Sequence, residues 1–341
     1  MTRRLARTVV LGSLFVVSAA FGASAQTYNG PKDIINVSYD VARELYIDLD
    51  QAFIAEWKDK TGQSIEVKQS HSGSSRQARS ILEGLAADVV TFNQVTDVQT
   101  LHDQANLIPA GWRKRLPNNS SPYYSLPSFL VRAGNPKNIR DWDDLVRPDV
   151  RAVFPNPRTS GNGRYSYLAA YAYALEQSKG DQSAATEFVR KMLANVPVFD
   201  TGGRGSTTSF VERGLADVLI TFEAEVQGIK REYGDRKLQV VTPSVSLLAE
   251  FPVTVVDKVV DRRGSRILAE AYLKWLYEPT AQEILAKNFN RVHDPKVVDK
   301  HKDQFPQVRL VTVEDVFGGW DQAMKVHFAE GGILDQVFVN R

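Results

Sequence analysis

The chain of 341 residues contains no cysteine and five histidines. Without cysteine, the protein has no disulfide framework, no thiolate metal site, no cysteine nucleophile and no lipid-modified cysteine. The histidines, at positions 71, 102, 293, 301 and 327, lack the paired spacing that is typical of metal sites. We therefore expect neither a metal ion nor another cofactor.

Acidic residues are absent from the first 32 positions, and Asp33 is the first of them. Within the first 25 residues, three arginines precede an uncharged run over 8–22, which is followed by Ala23, Ser24 and Ala25. This pattern predicts a secretory signal peptide over residues 1–25, cleaved before Gln26 and too short to serve as a membrane anchor. The alternative is an amphipathic first helix of the folded domain. The paired arginines suggest the twin-arginine export route, but only weakly.

The charges that remain nearly cancel. Without the three arginines of the signal, the chain has 39 basic and 40 acidic residues, a net charge of −1 with neutral histidines. Such a surface has no strong field to attract nucleic acid. With 43% hydrophobic and 24% charged residues, the composition is typical of a globular protein that is long enough for two compact lobes.

Strand-like and helix-like patterns alternate along the chain. Apolar runs predict strands over 34–39, 65–68, 87–92, 129–132, 218–221 and 251–257. Helical spacing of apolar residues predicts helices between them, the first of which is capped by Asp40, runs through Leu45, Leu49 and Phe53, and stops at Gly62. The chain from Ser265 onward is expected to be helical. The alternation predicts an α/β fold with mostly parallel sheets.

Four loops place glycines or small polar residues at the start of a predicted helix. They lie at Asp40, at 70–75, at 159–163 and at 201–206. The first N–H groups of a helix have no partner within the helix and carry partial positive charge, and glycines let a ligand approach the backbone closely. Because such starts gather at the carboxyl ends of the strands, the loops predict an anion site. Two loops precede residue 125 and two follow it, so the anion is expected between two lobes.

Other interpretations of these loops stay open. Each loop taken alone is explained by ordinary helix capping. Arg76, Arg164 and Arg204 lie just beyond the loops. They either act as direct counter-ions for the anion or belong to a solvated or salt-bridged face.

Enzymatic motifs are largely missing. The segment GGRGST at 202–207 lacks the spacing and the lysine of a phosphate-binding loop, and no GxSxG sequence is present. His71 beside Ser70 and Ser74 leaves a hydrolase as an alternative, although no carboxylate near them in the sequence would orient the imidazole. Because none of the expected anion donors titrates between about pH 5 and 8, binding should vary little there unless His71 enters the site.

Seven longer segments closely resemble one family, the periplasmic sulfate/thiosulfate-binding proteins of ABC importers, and most of all its thiosulfate-binding branch. The segments are SYDVARELY (38–46), QSHSGSSRQA (69–78), ADVVTFNQVTDVQTLHD (87–103), RLPNNSSPYYS (115–125), NPRTSGNGRYSYLAA (156–170), FDTGGRGSTTSFVERGLADVLITFEAEV (199–226) and LAEFPV (248–253). Together they extend over nearly the whole chain after the signal.

The resemblance implies a two-lobed periplasmic binding protein of type II, in which hinge strands join two α/β lobes around a dehydrated tetrahedral anion. It also implies which groups hold the anion, all of them uncharged donors. These are the backbone N–H groups of Asp40 and Ser74 in the first lobe, and in the second the Ser160 hydroxyl with the N–H groups of Gly161, Asn162 and Gly203.

Two positions depart from the sulfate-binding branch. This chain has Phe222 where that branch has a tryptophan whose indole donates to the anion, and Asn162 where it has glycine. Both departures resemble the thiosulfate-binding branch. The sulfur of thiosulfate accepts hydrogen bonds poorly, so an apolar ring beside it leaves little unsatisfied.

These observations predict a periplasmic receptor, not an enzyme, that captures thiosulfate and sulfate and delivers them to an ABC permease driven by a cytoplasmic ATPase. We expect a monomer without membrane insertion, divided into a signal peptide (1–25), a first lobe (26–124), a second lobe (125–247) and a segment (248–341) that returns to the first lobe and ends in helices. The alternatives are the same scaffold tuned to another oxyanion or a small organosulfonate and, from another class, a secreted hydrolase using His71 and Ser74.

Overall fold

The computed structural model describes residues 28–234 and 236–338, so the predicted signal peptide and its cleavage site lie outside the described residues. The strands are β1 Asp33–Tyr39, β2 Glu66–Ser72, β3 Val89–Thr91, β4 Tyr123–Ser125, β5 Pro127–Arg132, β6 Ala152–Val153, β7 Val218–Phe222, β8 Leu238–Val241, β9 Val245–Leu247, β10 Ala249–Glu250, β11 Val253–Val255, β12 Arg291–Val292 and β13 Arg309–Val311.

Helices connect and cover these strands. They are α1 Arg43–Thr61, α2 Ser74–Leu82, α3 Val95–Asp103, α4 Pro117–Ser120, α5 Gly161–Gln177, α6 Gln182–Ala194, α7 Gly203–Val211, α8 Glu223–Tyr233, α9 Asp257–Arg263, α10 Arg266–Trp275, α11 Pro279–Lys287, α12 Pro295–His301, α13 Val313–Phe317, α14 Trp320–Ala323 and α15 Ile333–Val337. In the described part of the chain, no helix combines the length and the apolar character needed to cross a membrane.

The first lobe is built around a four-stranded sheet with the order β11-β3-β1-β2. Strand β1 is parallel to both β2 and β3, as the alternation of strands and helices predicts. Its side chains Ile34 and Val37 are fully buried, as are Val89 and Val90 of β3, so this sheet is covered on both faces. Strand β11 comes from much later in the chain and pairs antiparallel with β3.

The chain leaves β1 through a single 3₁₀ turn, Asp40–Ala42, before α1 begins. Asp40 was expected to cap this helix with its side chain, and that expectation is wrong, because neither the turn nor α1 has a side-chain cap. The Asp40 carboxylate instead accepts a hydrogen bond, 3.3 Å long, from the backbone N–H of Arg204. The predicted end of α1 at Gly62 is confirmed, since this glycine adopts the left-handed conformation with φ 72°.

The second lobe contains a four-stranded sheet with the order β6-β7-β5-β8. Strands β6 and β7 are parallel, but β5 runs antiparallel to both of its neighbours, β7 and β8. This sheet is therefore mixed, whereas the sequence predicted mostly parallel pairing. The alternation of helices and strands does not predict the direction of β5. This strand enters the lobe from the junction and runs opposite to the strands that follow it.

Short strands connect the two lobes. Strands β4, β10 and β12 form a three-stranded sheet, and only Leu126 separates β4 from β5 of the second sheet. Strand β9 pairs in parallel with β13. The C-terminal region is helical apart from β12 and β13. Its last part packs on α5, where the Trp320 and Tyr165 ring centroids are 5.1 Å apart and those of His327 and Tyr171 are 4.6 Å apart.

Candidate anion-binding site

The four predicted loops meet in one cleft between the lobes. A Cβ atom added to Gly73, before α2, would lie 3.6 Å from the carbonyl oxygen of Thr159 and 3.7 Å from that of Thr201. One added to Gly161 would lie 2.7 Å from Cβ of Gln94 in the first lobe. Such distances leave no room for a side chain at position 161, so glycine is what allows the two backbones to approach.

Three helices begin at this cleft. Ser74 is the first residue of α2, Gly161 the first of α5 and Gly203 the first of α7. The N–H groups of such first residues lack partners within their own helix and add partial positive charge. Helix starts from both lobes therefore converge, which is an arrangement suited to an anion.

Ser160 is the N-cap of α5 and is almost fully buried. Its hydroxyl oxygen accepts from the N–H of Gly163 at 3.4 Å, and its carbonyl oxygen accepts from the N–H of Arg164 at 3.0 Å. A capping hydroxyl uses only its oxygen, so its proton remains free to donate. The cap leaves the Ser160 hydroxyl and the N–H groups of Gly161 and Asn162 for a ligand.

Asp40 lies at the opposite wall, against the start of α7. A Cβ atom on Gly202 would lie 2.5 Å from its carboxylate oxygen Oδ2, so this close approach requires glycine at position 202. Burial raises the pKa of Asp40 above its ordinary value, although the N–H groups of Arg204 and Val41 act in the opposite direction. The side chain of Asp40 thus forms a contact between the first lobe and the start of α7 in the second.

Asp97, on α3, organises one side of the cleft and was not singled out from the sequence. Its carboxylate accepts from the hydroxyls of Ser74, at 2.6 Å, and Ser75, at 3.0 Å, and forms an ion pair with Arg164 of the second lobe at 3.2 Å. The Ser74 hydroxyl therefore points to Asp97, while its backbone N–H, at the first position of α2, has no partner within that helix. No sequence signal marks Asp97, because only the fold brings α3 next to α5.

The arginines beyond the loops form ion pairs or face solvent. Arg164 is buried against Asp97, and Arg204 pairs with Glu44 at 2.5 Å on the surface. Arg76 is exposed. Two of the three arginines are therefore engaged by carboxylates across the cleft, which favours uncharged donors over direct counter-ions for a ligand.

Phe222 ends β7 and is buried beneath the cleft. Its ring lies 5.1 Å from that of Phe251 and 6.0 Å from that of Tyr165, measured between centroids. The preceding residue, Thr221, accepts a hydrogen bond from the side-chain amide of Asn162 at 2.6 Å. The side chain of Asn162 is therefore used within the second lobe, and Phe222 presents an apolar surface beside it.

A second carboxyl group beside the cleft, that of Glu225 on α8, was not predicted from the sequence. Its Oε1 accepts from the Thr207 hydroxyl at 3.0 Å, and its Oε2 accepts from the hydroxyl of Thr221 and from Asn162 Nδ2 at 3.4 Å. Burial, together with the nearby Asp40 carboxylate, raises the pKa of Glu225 to about 7. Its neighbour Glu223, which the sequence places at the end of the strand, forms an ion pair with Arg291, in which Oε2 and Nε are 2.6 Å apart.

The arrangement that a hydrolase needs is not formed by His71 and Ser74. His71 Nδ1 donates to the carbonyl oxygen of Tyr39 at 2.9 Å, while the Ser74 hydroxyl donates to Asp97. Burial lowers the pKa of His71. A serine nucleophile would need its hydroxyl bonded to the imidazole, and here the two side chains have different partners. Among the residues that the structure describes, no group of three acidic or histidine side chains is arranged to hold a metal ion.

Beside these loops lies a cavity of about 640 Å³ that opens between the lobes. Its wall includes Phe222 and Glu225 from the second lobe, with Tyr39 and Glu44 from the first. The cavity reaches the same cleft from one side, so Glu225 stands between the converging helix starts and this opening.

Comparison with known proteins gives this geometry a context. A family model described as "Bacterial extracellular solute-binding protein" matches residues 42–290. The thiosulfate-binding protein of Escherichia coli (strain K12) is 56% identical over 306 residues, which are 89% of this chain and 90% of that protein. The sulfate-binding protein of Salmonella typhimurium (strain LT2) is 51% identical over 308 residues, 90% of this chain and 93% of that one.

Among solved structures, the sulfate-binding protein SubI from Mycobacterium tuberculosis H37Rv matches with a TM-score of 0.78 at 32% identity, over 86% of this chain and 98% of that chain. A periplasmic thiamin binding protein, 19% identical with a TM-score of 0.64, shares the fold. The relatives bind solutes and are not enzymes. This chain belongs to the bacterial extracellular solute-binding proteins, in the group of the periplasmic sulfate- and thiosulfate-binding proteins.

Proposed function

We propose that this protein is a receptor that captures thiosulfate, and also sulfate, in the cleft between its lobes. The observation that carries the proposal is the convergence of helix starts from both lobes, with Ser74 on one side and Gly161 and Gly203 on the other. The anion would be held by the N–H groups of these residues and of Asp40 and Asn162, together with the Ser160 hydroxyl. Hydrogen bonds to a charged acceptor are short and strong, so a dianion needs no lysine there.

The preference for thiosulfate rests on Phe222. Relatives named for thiosulfate are 56% and 48% identical to this chain, and one named for sulfate is 51% identical, so identity alone does not separate the two ligands. A phenylalanine ring donates no N–H. A sulfate oxygen facing it would be left unsatisfied at a cost of about 1–3 kcal/mol, whereas the larger sulfur of thiosulfate demands little there.

The role of the receptor would be delivery. We propose that it is exported by the signal peptide over 1–25, works in the periplasm as a monomer, and presents the anion to the permease of an ABC importer whose ATPase lies in the cytoplasm. The lobes would comprise 26–124 and 125–247. The segment 248–341 would return first to the lobe around β11 and then supply the helices that pack on α5.

Calorimetric titration tests the proposal directly. Thiosulfate and sulfate should each bind to one site, with thiosulfate the tighter ligand, whereas molybdate, phosphate and taurine should bind much more weakly. Tight binding of one of those three and not of thiosulfate would contradict the proposal in favour of another oxyanion or a sulfonate. The mass of the mature protein, beginning at Gln26, tests the export step.

A further inference from the structure

The loop between β3 and α3 also reaches the cleft, and none of the expected anion donors comes from it. Strands β2, β1 and β3 are parallel neighbours, so their carboxyl ends lie at one edge of the first sheet. Asp40 follows β1 and Ser74 follows β2, whereas Asn93 and Gln94 follow β3. The carboxyl ends of the strands are where such a sheet places its ligand-binding groups, so this third loop is a candidate for a further contact.

This loop lies against the first residue of α5. A Cβ atom on Gly161 would lie 2.7 Å from Cβ of Gln94 and 2.8 Å from Oδ1 of Asn93. The Gln94 side chain continues beyond its Cβ by two carbons, which carry the amide nitrogen up to roughly 4 Å further. The amide group of Gln94 is therefore within reach of an anion that is bound to the N–H group of Gly161.

The amide group of Gln94 is not used within the fold. Gln94 is fully buried, and neither its Nε2 nor its Oε1 has a hydrogen-bond partner among the residues that the structure describes. Although Gln94 is the N-cap residue of α3, its side chain makes no capping hydrogen bond. A buried polar group without a partner costs free energy, so native proteins nearly always provide a partner for it.

Two other glutamines, which are also almost fully buried, show how a structural amide is bonded in this chain. Gln77 Nε2 donates to the carbonyl oxygen of Ser38 at 3.2 Å. Gln282 uses both ends of its amide, because Nε2 donates to two carbonyl oxygens and Oε1 accepts from the N–H of His293 at 3.0 Å. Gln94 differs from both of them, since its amide is unsatisfied and its Cβ borders the cleft.

The position of the loop is fixed from both sides of the cleft. Asp97, in the first turn of α3, accepts from the hydroxyl of Ser74 at 2.6 Å and pairs with Arg164 at 3.2 Å. These contacts hold α3, and with it Gln94, against α2 of the first lobe and α5 of the second. A group that is already in place before a ligand arrives loses little freedom on binding.

We propose that Gln94 is a further ligand-binding residue, whose side-chain amide donates an N–H from Nε2 to an oxygen atom of the captured anion. This inference rests on the proposed function and adds a side-chain donor from the first lobe, where only backbone N–H groups were expected. An amide carries no charge, so it fits a site in which uncharged donors hold a dianion. Since neither amide atom is bonded, the group can turn its nitrogen toward the anion without breaking a hydrogen bond.

A ligand-binding glutamine and a structural glutamine respond differently to replacement by methionine, which has a similar shape but no N–H donor. For Gln94→Met, urea denaturation without anion should give a free energy of unfolding equal to that of the wild type or higher, because an unpaired polar group is removed. Calorimetry should show thiosulfate binding weakened about tenfold to a hundredfold, as expected for the loss of a hydrogen bond to a charged acceptor.

Two matched variants define the alternatives. Gln104→Met makes the same change at an exposed position just after α3 and should alter neither stability nor affinity. Gln282→Met removes a satisfied amide, so it should lower the free energy of unfolding while thiosulfate affinity stays that of the wild type. The inference is overturned if Gln94→Met keeps the wild-type affinity, or if it lowers the free energy of unfolding as Gln282→Met does.

Nuclear magnetic resonance of the wild type decides the question even if Gln94→Met does not fold. With isotope-labelled glutamine, the side-chain amide signal of Gln94 can be assigned through its backbone. Saturation with sodium thiosulfate should move its proton signals to higher frequency, because the amide then donates to a charged acceptor, while those of Gln104 stay in place. Unmoved Gln94 signals in a saturated protein would refute the added donor and leave the proposed function intact. A wild type that binds no thiosulfate would refute the proposed function itself.

Discussion

Two arginines lie in the first turns of α5 and α7, and each forms an ion pair across the cleft, but in different surroundings. The side chains of Arg164 and Asp97 are only 9% and 8% exposed. Those of Arg204 and Glu44 are 52% and 66% exposed. Similar positions in the sequence thus yield one pair removed from water and one pair that water and salt can screen.

The two ion pairs therefore contribute differently to the closed cleft. An exposed pair gains little, because water replaces either partner at small cost. A buried pair is not strongly stabilising in itself, but loss of one partner leaves an isolated charge without water. Asp97 also fixes the hydroxyls of Ser74 and Ser75, so the buried pair is part of the wall of the site.

Asp97→Asn should have the largest effect. It leaves the Arg164 guanidinium without its counter-charge in the closed cleft, and we expect a loss of about 3–5 kcal/mol in the free energy of thiosulfate binding. The free energy of unfolding without anion should change less, because water reaches Arg164 when the lobes separate. Calorimetry and urea denaturation measure the two quantities.

Asp103→Asn is the matched control for that change, since Asp103 lies on the same helix with an exposed side chain bonded to Gln99. Its effect should stay within about 0.5 kcal/mol. If the two variants bind thiosulfate equally well, the buried pair has no part in closing the site.

Ser160→Ala should have the next largest effect, because it removes a neutral donor rather than a charge. The hydroxyl is buried, and we expect thiosulfate binding to weaken by about 1–3 kcal/mol in calorimetry. Arg158→Ala is the control. Arg158 is nearby in sequence, but it is half exposed and paired with Asp335 at 2.5 Å. Equal losses in both variants would mean that direct ionic pairing holds the ligand.

How far the sequence predicts this site depends on the residue type. The loops at 159–163 and 201–206 could be selected because capping and glycine chemistry act within a few residues along the chain, whereas the individual donors Ser160, Gly161 and Gly203 were implied by the family resemblance. Asp97 and Glu225 could not, because both lie on helices and reach the cleft only through tertiary packing. A carboxylate on a helix looks like a solvated surface residue until its neighbours are known.

The same limit applies to the fold. The strands around β1 were predicted from buried apolar runs, and the parallel pairing of β1 with β2 and β3 is confirmed. The direction of β5 was missed, because an apolar strand reads the same in either orientation. Asp40 was misassigned for a related reason: a cap and a contact across the cleft both need a short acidic side chain beside free N–H groups.

Phe222→Trp should change selectivity rather than total affinity. The indole adds a donor that is worth about 1.5–3 kcal/mol to a sulfate oxygen, and crowding of the larger ring against Phe251 and Tyr165 costs about 1–3 kcal/mol. Sulfate affinity should therefore rise slightly while thiosulfate affinity falls. Titration of both anions into each protein gives the ratio, and an unchanged ratio in a folded variant removes Phe222 from the selectivity of the site.

Arg204→Ala should have the smallest effect, and it completes the contrast with Asp97→Asn. Alanine keeps the backbone N–H that donates to the Asp40 carboxylate, so the losses are the exposed pair with Glu44 and a 3.4 Å hydrogen bond from Arg204 Nε to the carbonyl oxygen of Asp40. We expect thiosulfate binding to weaken by about 0–1 kcal/mol at low ionic strength. The difference should vanish near 1 M salt, where the screening length falls to about 3 Å. The loss caused by Asp97→Asn should persist there, because salt does not enter a buried pair. If both losses respond to salt alike, Arg164 is as accessible to water as Arg204, and the distinction between the two pairs fails.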